Sequence, residues 1–476
     1  MQPRTRKLDI PAILPKTGTP GLVFDSVRRA KDPERKMFGF RRAFMIWAYI
    51  NALVCMLITV LKFQQAMSGF GWMLEYMVPV SCFLQMFAGL ALFKIPVRVP
   101  FAAVFVLLFY AYAIFDGILI NKDIGRTLFL TMGWQTSHLL NYLLLGLAVM
   151  QAVYCGPEIR KWLKFTIILF FGFSGIIGMM QLVGVHWALS TFTTNQEMSI
   201  FRPVGTTDYP SQLGFEGFAG LILMGAPIVN RNLKWTEWCG IMFFATVILC
   251  AQYRSMYYAG LVVGLTPILY FQYKRSKNLG MAFTVVLLAC LTVPLILFPK
   301  KFEYGLRPAA NDPALLARQI AWKQLQPIIQ VRPMTGIGAD PNLMLGTNQM
   351  KVDKWSSTVL DNYYITTFAC FGYLGLIIIG FIFMTVIGGC VLRAAGDSPA
   401  AREWALIAVV STFSILALSL TGNSLVYAPV GYYYAIILGL GAATWKEELD
   451  SNKVSDIIVA IRKVLRRPLR LLGVNV

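Results

Sequence analysis

Residues 300–362 read KKFEYGLRPAANDPALLARQIAWKQLQPIIQVRPMTGIGADPNLMLGTNQMKVDKWSSTVLDN, the one long polar segment enclosed between hydrophobic stretches. Apolar segments of membrane-spanning length precede it and follow it. A loop of this length inside a compact domain is usually functional or disordered, and its Trp, Pro and Gly residues argue against disorder. This segment is therefore the first place to look for chemistry.

The composition predicts a polytopic membrane protein. Hydrophobic residues make up 57% of the 476 residues and charged residues 14%, with a mean hydropathy of +0.61. The net charge of +20 would suggest nucleic acid for a soluble protein. In membrane proteins, however, Lys and Arg accumulate in cytoplasmic loops and beside anionic headgroups. We therefore predict contacts with membrane lipids and no nucleic acid partner.

The apolar segments predict an all-α fold. Segments of roughly 20 apolar residues can span a bilayer, and counting them predicts about 12 transmembrane helices. Basic residues, among them Lys164, Arg231 and Arg275, then fall on one side, which predicts a cytoplasmic location for that side and for both termini. The predicted spans are 43–62, 76–94, 101–120, 136–154, 165–185, 213–229, 237–253, 257–272, 280–298, 364–392, 404–422 and 427–445.

Three regions follow from this division of the chain. Residues 1–42 form a basic tail without the apolar core of a signal peptide, so we expect the tail to stay in the cytoplasm. Residues 43–446 form the transmembrane domain, and its large loop at 299–362 is expected on the outer face with short helices. Residues 447–476 carry apolar residues at helical spacing opposite basic ones, which predicts an amphipathic helix on the inner leaflet.

Four groups of polar residues are predicted on the outer side. Arg202 lies in the turn-rich run 201–210, which can present its guanidinium to a ligand. Arg254 lies in a short hairpin between two spans. Arg318, four residues before Trp322, lies on a predicted amphipathic surface helix of the long loop. The fourth group is the glycine-rich turn with Gly336 and Gly338, followed by the run Asp361, Asn362, Tyr363 and Tyr364.

Three of these groups also have a simpler interpretation. Arg202 could pair with a lipid phosphate, and Arg254 could be a helix-end arginine that snorkels to the interface. A tight turn explains Gly336 and Gly338, and Asp361 at a helix N-terminus could be a cap. Two acidic residues inside spans, Asp116 and Glu216, are costly in lipid and should face protein or water, with Glu216 expected to pair with one of the arginines.

The order of the polar groups resembles the O-antigen ligase and polysaccharide polymerase superfamily of bacterial inner membranes. That family has an Arg-x-x-Gly-Thr segment, an Arg-containing hairpin, an Arg-x-x-x-Trp helix, a Gly-x-Gly turn and a His-Asn-x-Tyr-Leu motif before Gly-x-x-Gly. Two positions depart from the pattern: Tyr253 replaces the Ser before the hairpin Arg, and Asp361 replaces the His. The matching positions here are Arg202, Arg254, Arg318, Gly336, Gly338, Asn362 and Tyr363.

The resemblance implies a glycosyltransferase of the inner membrane. Such enzymes take a glycan linked to undecaprenyl pyrophosphate as donor, act on the periplasmic face, and use neither nucleotide nor metal. Other proteins of envelope polysaccharide assembly are further candidate partners. The sequence likewise lacks a Walker loop, a dinucleotide fingerprint and a His/Cys cluster.

The resemblance also implies roles for individual residues. Arg202 and Arg318, with Arg254 as a weaker third, would stabilise the diphosphate leaving group. Asp361 would be the base that activates the acceptor hydroxyl. Further predicted contributors to substrate binding are Asn362 and Tyr363, the turn glycines Gly336 and Gly338, Trp322 by sugar stacking, and His186 as a rival base.

Three functions remain open from the sequence. The change from His to Asp361 favours a polymerase of exopolysaccharide, capsule or O-antigen over a ligase that transfers the glycan to lipid A-core. A membrane transporter or flippase would explain the spans and the buried acids. It would not explain why the arginines, the glycine turn and Asp361 converge on one face, because carriers place ionisable groups near mid-membrane on broken helices.

Overall fold

A computed structural model describes much of the membrane-embedded part of the chain. Within the described residues the secondary structure is helical, without strands, which confirms the all-α prediction. The tails at 1–38 and 443–476 lie outside the described part, as does most of the long loop. The described residues are 39–58, 68–92, 95, 100–121, 136–192, 202–207, 210–297, 323, 326, 330–336, 338, 362–394, 399–420 and 428–442.

The helices follow the predicted apolar segments closely, since α3 occupies 101–121 where 101–120 was expected. We number them in chain order. They are α1 (Gly39–Ile58), α2 (Ser68–Ala91), α3 (Phe101–Asn121), α4 (Thr136–Cys155), α5 (Glu158–Val183), α6 (His186–Phe192), α7 (Pro210–Gly225, extended by the 3₁₀ turn Ala226–Val229), α8 (Trp235–Cys250), α9 (Arg254–Met256, continued by the π-helical Tyr257–Gly264), α10 (Leu265–Arg275), α11 (Lys277–Leu297), α12 (Tyr363–Ala394), α13 (Pro399–Ser419) and α14 (Ala428–Ala442).

Six helices of the described part are long and apolar enough to cross a membrane. The protein is therefore a multi-pass membrane protein, while the predicted count of about 12 spans stays a prediction. Shorter apolar helices of 10–17 residues lie among them, for example Trp235–Cys250. The six candidate spans are Gly39–Ile58, Phe101–Leu119, Glu158–Val183, Pro210–Val229, Tyr363–Val391 and Pro399–Ser419.

Polar contacts join the helices at one end of the bundle. Lys164 of α5 donates a hydrogen bond from Nζ to Glu403 of α13 at 2.6 Å. The side-chain amide of Asn230 donates to the carbonyl of Pro399 at 2.6 Å. Arg275 donates to carbonyls of the 3₁₀ turn that ends α7. We call this the Lys164 end, and it gathers residues that the sequence placed on a single side.

The opposite end gathers three of the predicted site residues. Helix α5 starts at the Lys164 end, and α7 finishes there, so the turn with Arg202 that connects them lies at the other end. Helix α8 leaves the Lys164 end and finishes just before Arg254. Helix α13 likewise starts at Pro399 and finishes near Leu420, whose carbonyl accepts a hydrogen bond from Asn362. We call this the Arg202 end.

Helix α12, predicted as the single span 364–392, is broken at Gly372. The residue has φ 61° and ψ −161°, and helical backbone continues on both sides. A break inside a membrane helix frees backbone groups that the bilayer cannot satisfy. The hydropathy pattern does not reveal the break because the flanking residues are apolar throughout.

A piece of the polar loop satisfies the backbone at this break. Residues 332–336 and 338, which we call the docked loop, lie against it. The amide nitrogens of Tyr373 and Leu374 donate to the carbonyls of Pro333 and Met334, at 3.0 and 3.2 Å. In return, the nitrogen of Gly338 donates to the carbonyl of Cys370 at 2.9 Å. The break and the docked loop therefore form one backbone-to-backbone unit.

Candidate functional site

Arg202 starts a short turn that is fixed to the last helical turns of α5. The side-chain oxygen of Gln181 accepts hydrogen bonds from the backbone nitrogens of Val204 and Gly205, both at 2.9 Å. The amide nitrogen of Gln181 donates to the carbonyl of Gly205 at 3.1 Å. Within the turn, residues 204–207 are buried. The backbone two and three residues after Arg202 is thus held in place, which suits a ligand-binding arginine.

A second polar side chain of α5 supports the same turn. The backbone nitrogen of Thr206 donates to Ser174 Oγ at 3.2 Å, and Ser174 also hydrogen-bonds to the carboxyl group of Glu216 on α7. Glu216 is 2% exposed, which confirms that it faces protein. Its expected partner was an arginine, and that expectation was wrong. Glu216 lies on a buried face of α7, and the adjacent helix α5 presents Ser174 there.

Arg254 begins α9 directly after a strained turn. Gln252 has φ 50°, a left-handed conformation that costs side-chain-bearing residues on the order of 1–3 kcal/mol. Residues 257–264 then continue as a π-helix, a rare form that recurs at functional sites. The strained turn is not evident from the residue types, because residues 251–257 contain neither glycine nor proline.

Arg202 and Arg254 both lie within electrostatic range of Tyr257. The guanidinium groups of both arginines interact electrostatically with the Tyr257 side chain. The hydroxyl of Tyr257 donates to the carbonyl of Leu249 at 3.0 Å, which fixes its orientation. Two positive charges at the same end of the bundle favour an anionic ligand, and guanidinium forks suit phosphate oxygens.

Asn362 caps helix α12. Its side-chain oxygen accepts from the backbone nitrogens of Tyr364 and Ile365, at 3.0 and 3.1 Å. Its amide nitrogen donates to the carbonyl of Leu420 at 2.9 Å. The neighbouring Tyr363 is 4% exposed and packs in the core. Asn362 therefore provides an N-cap for α12, while Asp361 lies outside the described part of the chain and substrate contacts of Asn362 and Tyr363 stay predictions.

Replacing Asn362 by alanine is expected to destabilise the protein by about 1 kcal/mol, the usual cost of losing a helix N-cap. Asn362→Ser keeps a capping oxygen and should unfold close to the wild-type temperature. Thermal unfolding of the purified full-length protein in detergent measures both. If Asn362→Ala unfolds at the wild-type temperature, the cap contributes nothing to stability.

The two turn glycines have structural reasons for their identity. Gly336 and Gly338 have φ values of 76° and 95°, which favour glycine. A Cβ at Gly336 would meet the backbone of Cys370 and come within 2.5 Å of the nitrogen of Phe371. The tight-turn interpretation thus describes their geometry, and their predicted contact with substrate stays a prediction.

Asp116 is the second buried acid, and it lies beside the docked loop. The side chain is 3% exposed, which confirms that it faces protein. The guanidinium of Arg332 acts on its charge. One helical turn away, the hydroxyl of Tyr112 donates to the carbonyl of Phe371 at 2.9 Å. Tyr112 therefore joins α3 to the unit formed by the docked loop and the broken helix, with Asp116 one helical turn away on α3.

His186, the rival base, is exposed at the start of α6. The amide nitrogen of Gln181 donates to the carbonyl of Ala188 in the same helix, at 3.4 Å. Because Gln181 also holds the turn after Arg202, α6 lies beside that turn. The role of His186 as a base stays a prediction. Three other predicted site residues lie outside the described part of the chain, namely Arg318, Trp322 and Asp361.

The fold and the site define a helical multi-pass membrane protein with an arginine pair at one end of its bundle. Residues 240–380 match the family model described as O-Antigen ligase. This match confirms, for that segment, the resemblance to the O-antigen ligase and polysaccharide polymerase superfamily. The segment includes Arg254, the docked loop and the break in α12, whereas Arg202 precedes it. No curated protein matches the chain.

Proposed function

We propose that the protein is a polysaccharide polymerase of the bacterial inner membrane. It transfers a glycan from undecaprenyl pyrophosphate to a glycan acceptor on the periplasmic face, with neither nucleotide nor metal. The observation that supports this proposal is that the charges of Arg202 and Arg254 both act on Tyr257, in a chain whose residues 240–380 match the family model described as O-Antigen ligase. In this proposal the Arg202 end is periplasmic, and the Lys164 end and both termini are cytoplasmic.

The arginines act on the leaving group. The acceptor hydroxyl oxygen bonds to the anomeric carbon of the donor glycan while the bond from that carbon to the diphosphate oxygen breaks. Negative charge then develops on the diphosphate, which leaves as undecaprenyl pyrophosphate. Fixed guanidinium groups stabilise such charge best where water is partly excluded. Arg202 and Arg254 supply two of them, and Arg318 is proposed as a third.

Asp361 acts on the acceptor. Its carboxylate takes the proton of the attacking hydroxyl, the task that the family assigns to a histidine at this position. Asp361 directly precedes Asn362 in the sequence, and Asn362 lies at the Arg202 end. The base and the diphosphate site are thus proposed on the same face of the membrane.

Asp361→Asn is expected to reduce polymer formation by about 100-fold or more, the usual contribution of a general base. The substitution keeps the size of the side chain and removes only its capacity to take a proton. Polymer length and amount in a strain that carries only the variant measure the effect, normalised to the variant's abundance in the membrane. Normal polymer would remove Asp361 from the mechanism.

A ligase is the second candidate, because the matching family model is described as O-Antigen ligase. It would use the same donor and the same arginines, and only the acceptor would differ. A lipid A-core acceptor would then replace the growing glycan.

Surface glycan and carrier-linked intermediates in a deletion strain test the proposed function. Loss of long chains, with single repeat units accumulating on the carrier, is the result expected for a polymerase. Full-length chains retained on the carrier would instead identify a ligase. An unchanged glycan profile would overturn both and favour a transporter of another substrate.

A further inference from the structure

Gln181 uses its whole hydrogen-bonding capacity at the Arg202 end. Its oxygen accepts from Val204 and Gly205, and its nitrogen donates to Gly205 and to Ala188. An amide side chain has two acceptor sites and two N–H donors, so all four are occupied. The residue is 1% exposed. A buried polar side chain in a membrane helix is costly unless it is satisfied, and such residues usually serve a function.

The partners of Gln181 are backbone atoms of two separate segments. One is the turn that follows Arg202, and the other is the short helix that begins with His186. Neither segment forms a long regular helix at these positions, so their backbone groups depend on side chains for partners. Gln181 therefore fixes the position of the Arg202 turn and of α6 relative to α5.

Ser174 adds a third fixed point two turns earlier on α5. It accepts from Thr206 at 3.2 Å, and it leaves no room for a larger residue at Gly205. A Cβ on Gly205 would lie 2.5 Å from Ser174 Oγ and 2.8 Å from the Ser174 carbonyl. The turn is thus pressed against α5 within three residues of Arg202.

We propose that Gln181 and Ser174 are positioning residues that hold the Arg202 guanidinium at the diphosphate of the lipid carrier. This inference rests on the proposed function and adds residues outside the family motifs to it. Preorganisation is the physical reason: a guanidinium on a loose turn would lose binding energy in ordering that turn around the ligand. Gln181 and Ser174 act through Arg202 and do not contact the substrate.

If Gln181 and Ser174 only stabilised the fold, the expected result would differ. Their replacement would lower the stability of the protein without changing the preference of the site for two phosphate groups over one. Replacement of a positioning residue changes that selectivity, and the change disappears when Arg202 is already alanine. The two cases can therefore be separated by a double-mutant cycle.

The test measures binding of two defined lipids, undecaprenyl pyrophosphate and undecaprenyl phosphate, to the full-length protein in nanodiscs. The variants are Gln181→Met, Arg202→Ala and their combination. Methionine keeps the length of the side chain and removes all four hydrogen bonds. Gln151→Met is the matched control, because Gln151 is also fully buried and donates to the carbonyl of Ile95, away from the Arg202 turn.

Gln181→Met is expected to weaken binding of the pyrophosphate lipid by about tenfold, because one charge-assisted hydrogen bond contributes a free energy of that order. The monophosphate lipid should be affected less, and Gln151→Met should bind both lipids like the wild type. In the Arg202→Ala background, Gln181→Met should cause no further loss. Ser174→Ala removes the Ser174 hydroxyl and serves as a second variant if Gln181→Met does not fold, with a smaller loss of the same kind.

Two results would overturn the inference. One is wild-type selectivity in both Gln181→Met and Ser174→Ala. The other is a loss of pyrophosphate-lipid binding on Gln181→Met that is equally large when Arg202 is already alanine. Failure of the proposed function gives a different result, namely wild-type pyrophosphate binding in Arg202→Ala itself.

Discussion

Arg202→Ala is expected to abolish long-chain glycan while the protein stays in the membrane at its wild-type level. Removal of one fixed group that stabilises developing charge typically costs about 100- to 1,000-fold in rate. The turn around Arg202 should survive the change, because Gln181 and Ser174 hold it through backbone atoms. The loss of long-chain glycan would therefore result from removal of the guanidinium and not from misfolding.

Two further variants sharpen this result. Arg202→Lys keeps the charge but loses the planar fork, so we expect it to fail nearly as completely. Arg231→Ala is the control, since Arg231 pairs with Glu237 at the Lys164 end, at the opposite end of the bundle from Arg202. Polymer of normal length and amount from Arg202→Ala would remove the arginine from the diphosphate site.

Gly372→Ala is expected to be among the most destabilising single substitutions in this protein. The conformation at Gly372, φ 61° and ψ −161°, is one that essentially only glycine adopts. A Cβ there would also meet the carbonyl of Met334 and lie 2.6 Å from the nitrogen of Thr335. Both atoms are backbone and cannot rotate away, so we expect a loss of about 3 kcal/mol or more.

The same helix provides a matched control for this prediction. A Cβ at Gly380 would meet nothing within 4 Å, and alanine is the better helix former, so Gly380→Ala should be neutral or stabilising. Thermal unfolding in detergent and the yield of folded protein compare the two variants. If Gly372→Ala unfolds like Gly380→Ala, the docked loop does not hold the break as described.

The sequence predicted the helices better than the break in α12. Continuous apolar runs identify membrane helices, and α3 begins where its segment was expected. The break is invisible to hydropathy because it is made by backbone contacts between Gly372 and the docked loop. Gly372 alone does not mark it, since glycine is common in membrane helices generally.

The charged residues of the candidate site could be predicted from the sequence, whereas the residues and backbone conformations that hold them in place could not. Arg202 and Arg254 stand out because they lie on the predicted outer side, whereas Lys and Arg accumulate on the cytoplasmic side, and in the structure the charges of both act on Tyr257. Gln181 was overlooked since a single amide in an apolar helix forms no motif. The strained conformation of Gln252 could not be predicted either, because no residue type at that turn indicates it.

The most direct test of the central claim is transfer by the purified protein itself. Carrier-linked glycan from the deletion strain would be supplied to full-length protein in nanodiscs, without nucleotide and with a chelator present. We predict longer glycans and one released undecaprenyl pyrophosphate for each transfer, with both lost in Arg202→Ala. Glycans of unchanged length and no released carrier, from protein that restores the strain's glycan in cells, would contradict the claim.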